Sequence, residues 1–302
     1  MANFYQHKNY SFQDFDLLVD DGVIYACYIK KAPRLIGEHD SRQPNIYAMA
    51  KSKDSVNWEE VGDIILPVPN SWEESIWAGG ISKQNDKYVI YYTGTTMKGR
   101  NDFCKIGKAY SEDLAHWEKD LENPVFIFDS QSPYYSDEKK LAFRDPFFFE
   151  HEGRKYILFC AKDKKQPAGK QGCIGVAEET EQNKFCWMPP IFSPGIYFDG
   201  LECPALYKIK DKWYLLYGID MENDEKAFRY AVADSPFGPY KTFKDNQLLS
   251  SNNYTCRIIN FGGKNLLYHW FRDNQNGKTR ERLAPPKGVH ILEDGRISLS
   301  EI

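Results

Sequence analysis

The sequence predicts an all-β protein, a five-bladed β-propeller built as a single domain over residues 1–302. Three observations carry this. A short run rich in aromatic and β-branched residues recurs five times along the chain, and repetition at this scale marks propellers and solenoids. Aromatic residues make up 15% of the chain, with 20 Tyr, 19 Phe and 7 Trp, a composition that suits pleated, half-buried strands. No segment sustains the i, i+3, i+4, i+7 apolar pattern of an amphipathic helix, so helix content is expected to be low.

The five copies are VIYACYI from Val23, YVIYYTG from Tyr88, YILFCAK from Tyr156, WYLLYGI from Trp213 and NLLYHWF from Asn265. Their starts lie 65, 68, 57 and 52 residues apart. Another apolar run and a polar turn introduce them, such as DLLV then DDG, or PFFF then EHEGRK, which makes a hairpin each time. Four copies are followed by a third strand, a polar turn and an aromatic-bearing fourth strand: NIYAMAKSKDSVNWEEVG from Asn45, KIGKAYSEDLAHWEKD from Lys105, CIGVAEETEQNKFCWMPP from Cys173 and RYAVADSPFGPYKTF from Arg229. A four-stranded antiparallel unit buries its faces only by stacking on neighbours, which is how propeller blades are stabilised. Trp58, Trp117 and Trp187 recur at equivalent repeat positions and read as blade-packing residues. The C-terminal LAPPKGVHILEDGRISL, from Leu283, reads as a last hairpin around EDGR. It is expected to pair with the N-terminal blade and close the ring, suppressing exposed edges. No C-terminal β-sandwich is expected after the fifth blade.

A net charge of −4, with Lys and Arg scattered, gives no basic footprint, so neither nucleic acid nor an anionic membrane is an expected partner. No apolar run approaches the roughly 18 to 20 residues of a membrane span. The N-terminal MANFYQHKNYSF lacks a basic segment followed by an apolar one, and the expected location is the cytoplasm. Seven cysteines without CxxC or finger spacing read as buried free thiols, and Cys27, Cys160 and Cys203 sit in apolar runs. His39, His116, His269 and His290 show no paired spacing, so no catalytic metal and no cofactor are expected.

Three acids stand at or near the start of the first strand of three separate repeats: Asp14 in SFQDFDLL, Asp145 in AFRDPFFF and Glu202 in GLECPALY. Innermost strands line a propeller's channel, so these acids can surround one sugar ring, the arrangement that glycosidic cleavage requires. The chemistry needs opposite protonation states. Glu202, flanked by Leu201, Cys203 and Pro204, is expected to have its pKa raised, with Asp14 the ionised partner among polar neighbours. Asp16 follows Asp14 by two residues on the same strand face and is a second candidate. Asp199, three residues before Glu202, reads as a loop acid or a substrate contact. The segment DSQSPYYSDEKK, residues 129–140, reads as a solvated loop near the site's mouth.

The FRDP at 143–146 and the ECP at 202–204, with IWAGGI at 76–81 and the SEDLAHW element, resemble motifs of glycoside hydrolase family 32, the invertases, levanases and inulinases. That family sits within a wider five-bladed group that includes family 43. The resemblance implies a retaining hydrolase or transferase acting on a β-fructofuranoside substrate. Asp14 would be the nucleophile and Glu202 the acid/base, while Asp145, ordered by Arg144, would hold ring hydroxyls and stabilise the transition state. Trp77 and Trp72 would stack on the sugar. The chain has Gln13-Asp14-Phe15-Asp16 where the family has Asn-Asp-Pro-Asn-Gly, which leaves Asp14 and Asp16 both open as nucleophile. An inverting family-43-like arabinosidase or xylosidase, and a non-catalytic sugar-binding propeller, are the alternatives.

Overall fold

The computed structural model describes residues 5, 9–32, 34–35, 43–97, 104–136, 142–197, 200–220, 226–250, 252–275 and 278–302. Among them no α-helix occurs, and the chain runs through strands gathered into five antiparallel sheets. Blade I holds β1 (Ser11–Asp20), β2 (Val23–Lys31), β4 (Ile46–Ser52) and β5 (Glu59–Ile65), with β3 (Arg34–Leu35) leaving it for the last blade. Blade II holds β6 (Ser75–Gln84), β7 (Lys87–Thr95) and β8 (Lys105–Ser111), edged by the short β9 (Glu118–Lys119) and β10 (Phe126–Ile127). Blade III is β11 (Arg144–His151), β12 (Arg154–Lys162), β13 (Gly172–Glu181) and β14 (Lys184–Phe192). Blade IV is β15 (Glu202–Ile209), β16 (Lys212–Asp220) and β17 (Lys226–Ala233), its fourth position reduced to isolated bridges at Gln247 and Lys241. Blade V is β18 (Asn253–Phe261), β19 (Lys264–Gln275), β20 (Lys278–Leu283), β21 (Lys287–Ile291) and β22 (Ile297–Ser300).

The five recurring runs are the second strands, β2, β7, β12, β16 and β19. Each lies between two partners within its sheet and between neighbouring blades, so both of its faces are buried. That is why they read as continuous apolar runs instead of alternating ones. The innermost strands β1, β6, β11, β15 and β18 touch in sequence, and β18 returns to β1, which completes the ring.

Closure differs from the expectation. The β21–β22 hairpin stays on the last blade, pairing with β19 at Leu266 and Leu267, and Tyr214 Oη donates to the Gly295 carbonyl at its turn. It is the N-terminal part of the chain that crosses over: β3 pairs with β20, and Tyr5 exchanges two backbone hydrogen bonds with Leu283, each 3.1 Å. The Tyr5 ring then packs edge-on against Phe12 and Tyr28. The chain's geometry favours this, because β20 and β21 share one edge of β19 and leave β20's outer edge open for β3.

All five innermost strands carry a register break at one depth, between Gln13 and Phe15, Trp77 and Gly79, Arg144 and Phe147, Glu202 and Ala205, and Tyr254 and Arg257. In blades III to V the break holds a non-glycine residue in the left-handed region, with φ of 60° at Asp145, 48° at Cys203 and 45° at Thr255. Such bulges re-aim side chains and are concentrated at functional sites. The IWAGGI motif has its reason here too. A Cβ on Gly79 would lie 2.2 Å from the Tyr91 carbonyl oxygen, and one on Gly80 would press on Pro146 O and on an Asp16 carboxylate oxygen.

Just past the breaks a buried ion pair spans the ring. Arg257 Nε donates to Asp16 Oδ1 at 3.0 Å, and each residue is 3% exposed. Asp16 Oδ2 accepts the Ile81 N–H at 2.9 Å, Arg257 Nη1 donates to the Cys203 carbonyl at 3.1 Å, and the guanidinium lies over the Phe147 ring. Blades I, II, III, IV and V each supply one of these groups. Removing one partner strands a buried charge, so Asp16→Ala should lower stability by about 3 to 5 kcal/mol in urea unfolding. A loss under about 1 kcal/mol, the size of a surface pair, would contradict this reading.

Candidate active site

The bulges place the site. In each innermost strand the residue before the break is Gln13, Trp77, Arg144, Glu202 or Tyr254, and the next residue is Asp14, Ala78, Asp145, Cys203 or Thr255. The acids therefore share one level of the channel although they come from three blades. Asp14 Oδ1 accepts hydrogen bonds from Thr255 Oγ1 at 2.6 Å and Trp270 Nε1 at 3.0 Å. Both donors sit on one oxygen, Oδ1, which fixes the carboxylate plane. Glu202 is partly exposed; Arg144 Nη2 donates to its Oε1 at 2.6 Å and Tyr254 Oη to its Oε2 at 2.5 Å.

Asp145 lies deeper, 6% exposed. Its Oδ2 accepts the Cys203 N–H at 3.0 Å, its own N–H donates to Thr93 Oγ1 at 2.9 Å, and Arg144 Nε stands 3.6 Å away. Burial pushes its carboxyl up to about 6; the Arg144 charge opposes this, and the negative charges of Glu202 and Asp14 reinforce it. The apolar sequence neighbours of Glu202 suggested that the lifted group would be Glu202. In the fold that side chain turns to a guanidinium and a phenol, and burial raises the carboxyls of Asp145 and of the deeper Asp16.

The structure separates the two N-terminal candidates. Asp16 is sealed in the ion pair with both oxygens engaged, so it is a strut and cannot contact substrate, whereas Asp14 opens to the channel. Trp77 occupies in blade II the position that Arg144 and Glu202 hold in blades III and IV, and is partly exposed. Trp72 stacks on Tyr92 at 6.1 Å, and its ring fills the space over Gly94 and Gly107, where a Cβ would come within 2.3 and 2.8 Å of it. In the structure it packs within blade II. Asp199 lies outside the described residues, as do residues 137–140 of the expected solvated loop. Tyr135 of that loop is fully buried, with its hydroxyl donating to the Met188 carbonyl and accepting the Val176 N–H.

Sequence reasoning missed Tyr254, Thr255, Trp270 and Thr93. The signal was positional: aligned on the repeat, Tyr254-Thr255 of blade V falls opposite Glu202-Cys203 and Arg144-Asp145. Among the described residues no group of three or more His, Cys, Asp or Glu is placed to hold a metal ion. A polar groove of about 940 Å³ between blades II and III is lined by residues of the β6–β7 and β13–β14 turns and by the Lys108–Glu179 pair. It opens at the turn end of the blades, away from the three acids.

The class is that of five-bladed propellers, here with two aspartates and a glutamate on three innermost strands. The chain belongs to the glycosyl hydrolases family 43, whose sequence model matches residues 20–269. Asp145 and Glu202 fall inside the match, and Asp14 lies just before it. A beta-xylosidase of Bacillus subtilis is 26% identical over 212 residues, 66% of this chain and 36% of that protein. The beta-fructofuranosidase insoluble isoenzyme CWINV6 of Arabidopsis thaliana is 28% identical over 135 residues, 43% of this chain and 24% of that one. The chain thus spans about a quarter to a third of the length of these relatives. In fold it resembles the Bombyx mori GH32 beta-fructofuranosidase BmSUC1 (TM-score 0.75, 18% identity, all of this chain and 65% of that one). It is equally similar to a thermostable family-43 glycoside hydrolase (TM-score 0.74, 18% identity, 99% of this chain and 96% of that one). The family-32 motifs therefore report a propeller common to both families, and the family membership is 43.

Because the folded pKa of Asp145 lies above its ordinary value of 3.8, protonation favours the folded state. This contribution is full below about pH 4 and is lost as pH rises through about 6. Asp145→Asn, which cannot ionise, should therefore gain stability relative to the unmodified protein between pH 4 and 7, by about 1 to 3 kcal/mol. Urea unfolding across that range reads this, and a difference that does not vary with pH would contradict the assignment.

Proposed function

We propose that this chain hydrolyses a pentoside, a xyloside or an arabinofuranoside, with inversion at the anomeric carbon. Asp14 acts as general base: its carboxylate takes a proton from the attacking water, while Thr255 and Trp270 hold it in plane. Glu202 acts as general acid and delivers its proton to the leaving oxygen. Asp145 and Arg144 form its electrostatic surroundings, with Asp145 sharing the negative charge that favours a proton on the pair. The observation that carries this reading is the unequal environment of the acids in a family 43 chain: Asp14 is tied to neutral donors, whereas Asp145 and Glu202 crowd one guanidinium.

The family-32 reading keeps a place because of RDP, ECP and the match to CWINV6. It makes Asp14 a nucleophile on a fructofuranoside. The two readings part on the sugar released.

The test is sugar release from nitrophenyl xyloside and arabinofuranoside, xylan and arabinan oligosaccharides, sucrose, inulin and levan. Pentose release is expected, with Asp14→Asn and Glu202→Gln each reducing kcat by roughly 10²- to 10⁴-fold. Fructose release in place of pentose would move the assignment to family-32 chemistry, and sugar binding without release would make the chain a binding propeller. A second outcome isolates the acid. Glu202→Gln should lose far less on nitrophenyl glycosides than on oligosaccharides, because nitrophenolate leaves without a proton. Equal losses on both would remove Glu202 from the acid role.

A further inference from the structure

We propose that Tyr254 is a positioning residue that determines which oxygen of Glu202 carries the acid proton and how tightly it is held. The inference rests on the glycosidase reading above. Glu202 has a different partner on each oxygen, Arg144 Nη2 on Oε1 and Tyr254 Oη on Oε2. A guanidinium has donors and no acceptor, so a proton on Oε1 would face another N–H and a positive charge. A phenol hydroxyl both donates and accepts. While Glu202 is ionised, Tyr254 donates to Oε2; once Glu202 is protonated on Oε2, the same hydroxyl can rotate and accept. Oε2 is therefore the oxygen that loads and releases the proton, and Arg144 anchors the other.

The site is built around this hydroxyl. Gly218 is the cross-strand partner of Glu202, and a Cβ there would lie 2.2 Å from Tyr254 Oη, so the glycine leaves the space the phenol fills. The Tyr254 ring is 1% exposed, held edge-on by Phe228 at 5.3 Å and tilted against Trp270 at 5.5 Å. Burial first, and then the negative charge of Glu202, keep the phenol protonated. Among the described residues, the titratable groups facing Glu202 include Arg144 and Asp145 from β11, Tyr254 from β18 and Cys203 on its own strand, whose thiol burial keeps neutral. Asp14 of β1 acts on the same set through Tyr254, Asp145 and Cys203. The next residue, Thr255, holds Asp14, so one bulge in blade V carries a donor for the acid and a donor for the base.

The decisive variant is Tyr254→Phe, which deletes one oxygen and keeps the ring. Losing a donor to the carboxylate should raise the proton affinity of Glu202, moving the descending alkaline limb of kcat/KM upward by about one pH unit with KM little changed. Glu202 is also titrated without substrate by carboxyl ¹³C NMR of glutamate-labelled protein, its signal assigned by loss in Glu202→Gln, and the same upward shift is expected. Gly218→Ala, which displaces the hydroxyl while keeping the tyrosine, should shift the titration in the same direction and is read alone if Tyr254→Phe does not fold. A titration and an alkaline limb that coincide with those of the unmodified protein would overturn the proposal. If the unmodified protein cleaves no glycoside, the hydrolase reading fails, and the NMR titration still decides the part played by Tyr254.

Discussion

A carboxylate and a guanidinium, Asp16 and Arg257, meet inside the ring at 3.0 Å, and each blade supplies one of the groups around them. A propeller is a closed stack, so its inner strands must be held at a fixed spacing while the channel stays polar enough to bind a hydrophilic ligand. Hydrophobic packing alone cannot do this where five backbones converge. The ion pair can, because both carboxylate oxygens and two of the guanidinium nitrogens are matched: Asp16 takes one N–H from blade II and one from Arg257, and the guanidinium spends a second donor on the Cys203 carbonyl. Low dielectric makes such a pair costly to bury and more costly to break, which ties the ring's closure to its polar centre.

That constraint reaches the chemistry through the bulges. The Cys203 carbonyl held by Arg257 belongs to the residue whose N–H binds Asp145, and the residue before it is Glu202. The axial pair thus fixes the peptide that orients two of the three acids. The left-handed conformations of Asp145, Cys203 and Thr255 are sustained by these contacts, in keeping with strain located where side chains must converge. Blade V has no acid at this level, yet it holds both Asp14 and Glu202 through Thr255, Trp270 and Tyr254.

The ring was legible in the sequence because the middle strand of every blade is buried on both faces, which writes the same apolar run five times. Asp145 and Glu202 were legible because an acid at the head of an apolar strand has little other reason to be there. Asp14 and Asp16 could not be told apart: alternation places residues i and i+2 on one face, and only the register break at Asp14, a three-dimensional feature, leaves one partly exposed and buries the other in the ring's interior. Tyr254 and Thr255 resemble ordinary strand residues, so nothing but alignment of the repeats could have singled them out. The packing of Trp72 against Tyr92 was hidden for the same reason, since composition marks an aromatic without telling which side of a blade it packs on. Closure by β3 and Tyr5 was hidden because pairing of two short segments distant in sequence leaves no periodic trace.

The proposed role of Asp14, activating water instead of attacking the sugar, is written in the configuration of the first product. Proton NMR of a pentoside digest, recorded before mutarotation equilibrates the anomers, should show the newly released sugar with its anomeric configuration inverted. A first product of retained configuration would contradict the account, since it requires a covalent intermediate on Asp14.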